Sequence, residues 1–154
     1  MPVRFFGLTV FLFTAACGGH ANTCEEAADY PPSATLVTGE KGKSVVADGD
    51  ELAIYYGGQG GQHVYVGVET TGLLPDKDSP GMVSFVVLGD DGELLASAEP
   101  WIPMKGDAVE ARLTGFELSL ESPEGSPTGY RLGVTVTDTC GTTATDEVAI
   151  QLGW

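Results

Sequence analysis

The strict alternation of apolar and polar residues over short stretches is the feature that most constrains how this chain can fold. It is clearest at residues 130–137, where every second side chain is large and apolar. Successive side chains of a β-strand point to opposite faces, so this pattern predicts strands that are buried on one face. No stretch of ten or more residues repeats with the 3.6-residue period of a helix, so the chain is predicted to be all-β.

Similar stretches recur through the chain and are separated by turn signals such as the Asp-Asp-Gly at residues 90–92. They span residues 34–37, 44–46, 51–56, 63–70, 82–88, 93–98, 109–113, 116–120, 130–137 and 147–152. The alternation places Leu52, Ile54 and Tyr56 on one face of a strand. Gly115 predicts a bulge or bend between residues 109–113 and 116–120. With the two stretches around Gly115 counted as one bent strand, we expect eight or nine short strands. Turns every eight to twelve residues predict a β-sandwich.

The end of the chain resembles the closing hairpin of bacterial immunoglobulin-like and PKD-like domains. The resemblance rests on a VTVTD strand at residues 134–138, a glycine-bearing loop, and a TAT-x-x-V-x-I strand at residues 143–150. It implies an immunoglobulin-like antiparallel β-sandwich of about seven to nine strands over residues 34–154. It implies no particular activity, because sandwiches of this kind host many functions.

The N-terminus has the charge and the length of a secretory signal peptide. Arg4 precedes an apolar run at residues 5–13, which is too short to cross a bilayer, since a spanning helix needs about 20 apolar residues. The run ends in Thr14-Ala15-Ala16-Cys17, which resembles the lipobox of bacterial lipoproteins. The alternative is an ordinary signal peptide that leaves Cys17 as a free thiol.

The lipobox resemblance implies a cellular location as well as a membrane anchor. Removal of residues 1–16 would leave a tether at residues 17–33, lipidated at Cys17 with palmitate-type acyl chains. Gly18 stands where aspartate would favour the inner membrane, so the resemblance implies the outer membrane. With its small, acidic, glycine-rich β-domain, the whole chain resembles surface lipoproteins of myxobacteria and their relatives, and no activity carries over from them.

Lipidation of Cys17 would leave Cys24 and Cys140 as a pair among the three cysteines. An exported protein lies in an oxidising compartment, where two remaining cysteines predict one disulfide. A metal site is the alternative. The pair has no C-x-x-C partner, however, and only His20 and His63 could assist it.

The chain carries 22 acidic and 7 basic residues, a formal net charge of −15, which becomes −16 when Arg4 leaves with the signal peptide. Such a surface repels phosphate backbones and anionic headgroups, so no nucleic-acid partner is expected. The acidic loops at residues 48–51, 76–78 and 90–93 do not fit the EF-hand pattern. We interpret them as solvated turns, with weak calcium binding as the alternative.

Four glycines within residues 57–61 separate two predicted strands. The simplest interpretation is a wide turn, because glycine tolerates the positive φ angles that turns need. The alternative is a backbone cradle for an anion or a sugar, with Gln59, Gln62 and His63 as ligand contacts. The stretch lacks the lysine and the following helix of a P-loop, and it does not fit a dinucleotide fingerprint.

No arrangement of residues predicts catalysis. His63 would have to be the base of a Ser-His-Asp arrangement, but the chain has no G-x-S-x-G elbow. We therefore expect a non-enzymatic, lipid-anchored binding or structural module of the cell envelope, without a cofactor. The membrane would hold it through Cys17, and its partner would be an envelope protein or a glycan.

The alternative function is a secreted enzyme, or an accessory domain of one, that uses residues 57–63 to bind a ligand such as a carbohydrate. A polar cluster around His63 in a deep pocket would favour it, whereas His63 on the rim of a sheet would favour the binding module. A disulfide at Cys24 would also bring the turn at residues 138–142 close to the membrane. The opposite end of the domain would then be left for partners.

Overall fold

A computed structural model of the chain describes residues 23–42, 44–58, 60–75, 83–100, 103–122 and 128–153. The predicted signal peptide, Cys17 and Gln59 lie outside the described residues. Strands make up most of what is described, and the prediction of an all-β chain is confirmed. Within these ranges no helix is long and apolar enough to cross a membrane.

The described residues form one short helix and eleven strands, arranged in two sheets. In chain order the elements are α1 (Cys24–Ala27), β1 (Ser33–Thr38), β2 (Ser44–Val45), β3 (Asp50–Ala53), β4 (Tyr55–Tyr56), β5 (Gln62–Thr71), β6 (Val83–Gly89), β7 (Leu94–Ala98), β8 (Lys105–Gly106), β9 (Ala111–Leu120), β10 (Tyr130–Thr137) and β11 (Thr143–Gly153). Strands β2, β4 and β8 have two residues each, so the eight longer strands fall within the predicted seven to nine.

The strand order is that of an immunoglobulin-like sandwich. The first sheet runs β2-β1-β5-β9-β8, with β4 also paired to β5, and the second runs β3-β11-β10-β6-β7. Taking β1, β5, β9 and β8 as strands A, B, E and D, and β11, β10 and β6 as G, F and C, reproduces the immunoglobulin arrangement. The predicted sandwich is therefore confirmed.

One pair of strands departs from the predicted antiparallel arrangement. β3 runs parallel to β11, with Leu52 opposite Leu152, while the other described pairs are antiparallel. The chain leaves the first sheet after β2, and β3 then joins the second sheet next to β11, the last strand of the chain. The parallel pairing gives β11 a neighbour along an edge that would otherwise be open.

The predicted strand at residues 51–56 is wrong as a single element, because the chain changes sheets at Ile54. Leu52, before the change, is buried in the core, and Ile54 is half-buried against it. Tyr56, after the change, belongs to β4 in the first sheet and is 63% exposed. The prediction that Leu52 and Tyr56 share one face of a strand is therefore also wrong, since they belong to different sheets.

The core lies between the sheets and is built from the alternating apolar rows. On β5, Val64, Val66 and Val68 are fully buried, and the opposing sheet contributes Phe85, which stacks on Phe116 with ring centroids 5.8 Å apart. Burial of one such side chain stabilises the fold by about 1.5–3 kcal/mol. A slip of one residue would expose the whole row, so these side chains fix the register of β5.

Cys24 and Cys140 form a disulfide with Cα atoms 5.7 Å apart, as predicted. The bond joins α1 to the turn between β10 and β11. Behind it, Ala27 of α1 is buried together with Ala108. The predicted tether is therefore folded onto the sandwich over the part that the structure describes, from residue 23 onward.

Asp138 fixes the same end of the sandwich with a buried carboxylate, only 4% exposed. Its Oδ2 accepts the Leu74 N–H at 3.0 Å, and its Oδ1 accepts the Thr142 N–H at 2.7 Å. The disulfide end is our name for α1, residues 72–75 and the turn at 138–142. The hairpin end is the opposite end, where β4 turns into β5.

The loop at residues 39–42 crosses the outer face of the first sheet. The register of β5 against β9 shifts between Val66 and Val68, close to Gly115, where the sequence predicts a bulge. Gly115 has a φ of +69°, and a Cβ there would collide with the Glu40 carbonyl oxygen. The bulge therefore makes room for the loop, which carries Glu40 onto the outer face.

Candidate functional site

Three aromatic side chains gather on the outer face of the first sheet near the hairpin end. Tyr55 of β4 lies directly opposite His63 of β5. Tyr65 follows His63 by two residues on the same strand, so both project from the same face. We call Tyr55, His63 and Tyr65 the aromatic cluster.

The rings of the aromatic cluster contact one another. Tyr55 lies parallel to His63, with an interplanar angle of 20° and ring centroids 5.9 Å apart. Tyr65 meets both rings edge-on, at 4.9 Å from Tyr55 and 5.3 Å from His63. Aromatic pairs in such geometries contribute about 0.5–1.5 kcal/mol each. The three rings therefore hold a defined arrangement before any partner arrives.

The cluster leaves aromatic surface open to solvent. Tyr55 is 43% exposed, while His63 and Tyr65 are half-buried. Single exposed apolar residues are ordinary on a protein surface, but exposed aromatics that cluster are typical of contact sites. This surface is the strongest candidate binding site in the described part of the chain.

A carboxylate borders the cluster on β9. Glu117 lies opposite Tyr65, and the Tyr65 hydroxyl donates a hydrogen bond to its Oε1 at 3.2 Å. Loss of solvent around the phenol, and then the negative charge of Glu117, raise the pKa of Tyr65 above its ordinary value of 10.0. The charges of Glu40 and of an ionised Tyr55 add to this effect. Tyr65 thus remains a neutral hydrogen-bond donor at physiological pH.

The structure does not bring together the side chains predicted to form a ligand cradle. Gln62 and His63 are consecutive on β5, so they lie on opposite faces of the sheet. The Gln62 Oε1 is buried and has no hydrogen-bond partner among the described residues. Gln59 lies outside them. A role in ligand contact stays a prediction for each of the three.

The glycine-rich stretch forms a backbone turn. The Gly57 N–H donates to the Gly61 carbonyl at 2.8 Å, and the Gly60 N–H donates to the Gly57 carbonyl at 2.9 Å. Gly60 has a φ of +85°, which favours glycine. These two amide groups are used inside the turn, so they do not form an anion cradle.

The acidic turns that the structure describes use their carboxylates to accept backbone hydrogen bonds. Asp48 accepts the Ala149 N–H at 2.9 Å, and Asp50 accepts the Ala47 N–H at 2.8 Å. Asp91 accepts the Glu93 N–H at 3.0 Å in the turn after β6. The loop at residues 76–78 is outside the described part of the chain. Among the residues that are described, no group of three or more histidine, cysteine or carboxylate side chains is placed to hold a metal.

Two shallow grooves lie elsewhere on the sandwich. One, of about 270 Å³, lies at the disulfide end between β1 and residues 109–110. The other, of about 290 Å³, lies between β7 and the end of β9. His63 lines neither of these grooves and lies instead on the sheet face.

Tyr55, Tyr65 and Glu117 are the members of the site that sequence reasoning missed. The alternation on β5 predicts that His63 and Tyr65 face outward, but it says nothing about their neighbours on other strands. Tyr55 joins them only through the pairing of β4 with β5, and Glu117 only through the register of β9. The pair Tyr55-Tyr56 directly before the glycine-rich turn was the available signal. No family model matches the chain, and no curated protein does either.

Proposed function

We propose that this protein is a non-enzymatic binding module of the cell envelope, anchored to the outer membrane through lipid on Cys17. In this proposal the aromatic cluster is the surface offered to an envelope partner. The observation that carries it is the position of the cluster near one end of the sandwich, with the N-terminal segment fixed at the other. β5 connects the two ends, and its ten residues span about 30 Å.

If Cys17 is anchored as predicted, the disulfide determines how the domain is oriented relative to the membrane. Cys24 lies only seven residues after Cys17. At about 3.3–3.6 Å per residue, their reach is at most roughly 25 Å. The bond to Cys140 therefore keeps the disulfide end close to any membrane that holds Cys17. The aromatic cluster then lies toward the end of the domain that is farther from the lipid surface, where other components of the envelope can reach it.

The anchor is tested by replacing the cysteine. Cys17→Ser should abolish lipid labelling and move the protein from the detergent phase to the aqueous phase on phase separation. A lipoprotein cysteine carries two or three acyl chains, which together hold a protein stably, whereas one chain binds marginally. Detergent partition that is the same for both proteins would contradict the anchor.

The binding surface is tested by photo-crosslinking in intact cells. A crosslinking amino acid at Ser119, which lies opposite His63 on β9, should capture an envelope component. The matched control is the same amino acid at Thr135, an exposed position on the outer face of the second sheet. Capture that is equal at both positions, or that occurs only at Thr135, would contradict the proposal.

A further inference from the structure

We infer that the aromatic cluster binds a positively charged protein segment, receiving an arginine or lysine side chain against the exposed Tyr55 ring with Glu117 as the counter-charge. This inference rests on the proposed function and specifies the chemistry of the partner. It selects a basic envelope protein over a glycan.

The charge at the cluster is the first argument. Glu117 is exposed, and its carboxylate already touches the cluster through the Tyr65 hydroxyl. A carboxylate can accept about four hydrogen bonds, so this contact leaves capacity for a guanidinium or an ammonium group. Glu40 of the crossing loop adds a second negative charge near Tyr65, while Glu117 is the carboxylate in direct contact with the cluster.

The arrangement of the rings is the second argument. A cation is attracted to the face of an aromatic ring within about 6 Å of its centroid. Here the exposed Tyr55 ring and the Glu117 carboxylate lie on either side of Tyr65, on neighbouring strands of one face. A cation on the Tyr55 ring would therefore lie on the same sheet face as the Glu117 charge. A planar guanidinium stacks on aromatic rings and pairs with carboxylates, which favours arginine in particular.

The same geometry disfavours a glycan. A sugar ring stacks on a flat aromatic platform and needs hydrogen-bonding groups around that platform. Tyr65 stands at 68° to Tyr55 and at 87° to His63, so the cluster forms a corner. The Tyr65 hydroxyl is also engaged with Glu117.

The net charge of the chain is the third argument. A protein with a formal charge of −15 attracts cationic partners over a distance and repels anionic ones. This long-range attraction would raise the association rate of a basic segment, whereas it would not change the association rate of a neutral glycan. It also means that a test must separate binding at the cluster from diffuse attraction to the whole surface.

The test is a titration of the full-length protein in detergent with fluorescent hexa-arginine, at about 0.15 M salt, followed by anisotropy. Tyr55→Leu keeps an apolar side chain but removes the ring, and it should weaken binding about tenfold without changing the net charge. Tyr55→Phe keeps the ring face and should bind like the unmodified protein. Glu117→Gln should weaken binding by a similar factor.

Two variants serve as matched controls. Tyr56→Leu removes a tyrosine from the same hairpin on the opposite face of β4, and it should change binding by less than about twofold. Glu25→Gln removes one negative charge at the disulfide end, and it should likewise change binding by less than about twofold. Thermal unfolding of every variant checks that a loss of binding is not a loss of fold.

Three results would overturn the inference. One is that hexa-arginine does not bind. The second is binding that falls equally in Tyr55→Leu and Tyr56→Leu, which would indicate diffuse attraction. The third is Tyr55-dependent binding of a chitin hexasaccharide in preference to the peptide, which would assign the cluster to glycans. Crosslinking at Ser119 that succeeds while the peptide fails would reject the cationic partner and leave the proposed function standing.

Discussion

The Asp146 carboxylate of β11 accepts a hydrogen bond from the Leu36 N–H of β1 at 2.8 Å, which joins the two sheets. The carbonyl of Leu36 accepts the Val46 N–H at 3.0 Å. Regular pairing of β1 with β2 covers only Val37 and Thr38, so the ladder between these two strands ends before Leu36. Asp146 thus supplies the acceptor that a further strand would have provided.

Asp146→Ala should therefore lower the free energy of unfolding by about 1–3 kcal/mol, because it leaves the Leu36 N–H without its partner. Denaturant unfolding would measure the change. Glu147→Ala is the matched control, since Glu147 is exposed and only 3.5 Å from Arg131 in a surface ion pair. Such pairs contribute about 0–1 kcal/mol. A loss for Asp146→Ala no greater than that for Glu147→Ala would contradict this assignment.

Reduction of the disulfide should destabilise the protein and free its N-terminal segment. The two cysteines are 116 residues apart, and the chain-entropy model gives about 4–5 kcal/mol for closing such a loop. α1 has only four residues and buries Ala27 alone, so it should detach once the bond is cut. The expected result is a lower melting temperature together with protease cleavage between residues 23 and 30. Cleavage that starts within the sandwich strands would contradict this order of events.

The turn after β4 makes a prediction that distinguishes two nearby glycines. Gly60 has a φ of +85°, so Gly60→Val should cost at least about 1–2 kcal/mol of stability. Gly58 has no positive φ and open space around it, so Gly58→Val should be nearly neutral. Thermal melts of the two variants would show the difference. Equal destabilisation would mean that the turn does not have this conformation.

The raised pKa of Tyr65 predicts how stability depends on alkaline pH. A folded-state pKa above 10.0 favours the protonated phenol in the folded protein. The stabilisation that this preference adds to the folded state is fully present below pH 10.0, and it is lost as the pH rises through the folded-state pKa. Tyr65→Phe should remove that part of the pH dependence, and Glu117→Gln should lower the pKa of Tyr65. Ultraviolet titration of the tyrosines would measure both, and a Tyr65 that titrates at or below 10.0 would contradict the contact with Glu117.

Local patterns suffice for much of this fold. The period of two on β5 predicts which side chains are buried, because a strand with one buried face has no other register available. The disulfide follows from counting cysteines on the expectation that the chain is exported and lipidated at Cys17, which would leave Cys24 and Cys140 as the pair. The bulge near Gly115 follows from a glycine inside an otherwise regular strand.

Long-range pairing accounts for what the sequence does not reveal. Leu52 and Tyr56 have the same spacing whether or not the chain changes sheets at Ile54. The change is decided by the pairing of β3 with β11, a hundred residues away in sequence. The aromatic cluster has the same origin, because only the hairpin and the register of β9 bring Tyr55 and Glu117 to Tyr65. The contact of Asp146 with Leu36 likewise crosses between the sheets.

The most direct test of the account is the distance of each end of the domain from the membrane. A fluorescent amino acid can replace Glu25 at the disulfide end or Gly58 at the hairpin end, where a side chain has open space. Energy transfer to acceptor lipids in vesicles should be strong from position 25. It should be much weaker from position 58, since the two ends are about 30 Å apart along β5. Transfer that is equal from both positions, or stronger from position 58, would contradict an anchored disulfide end and an outward aromatic cluster.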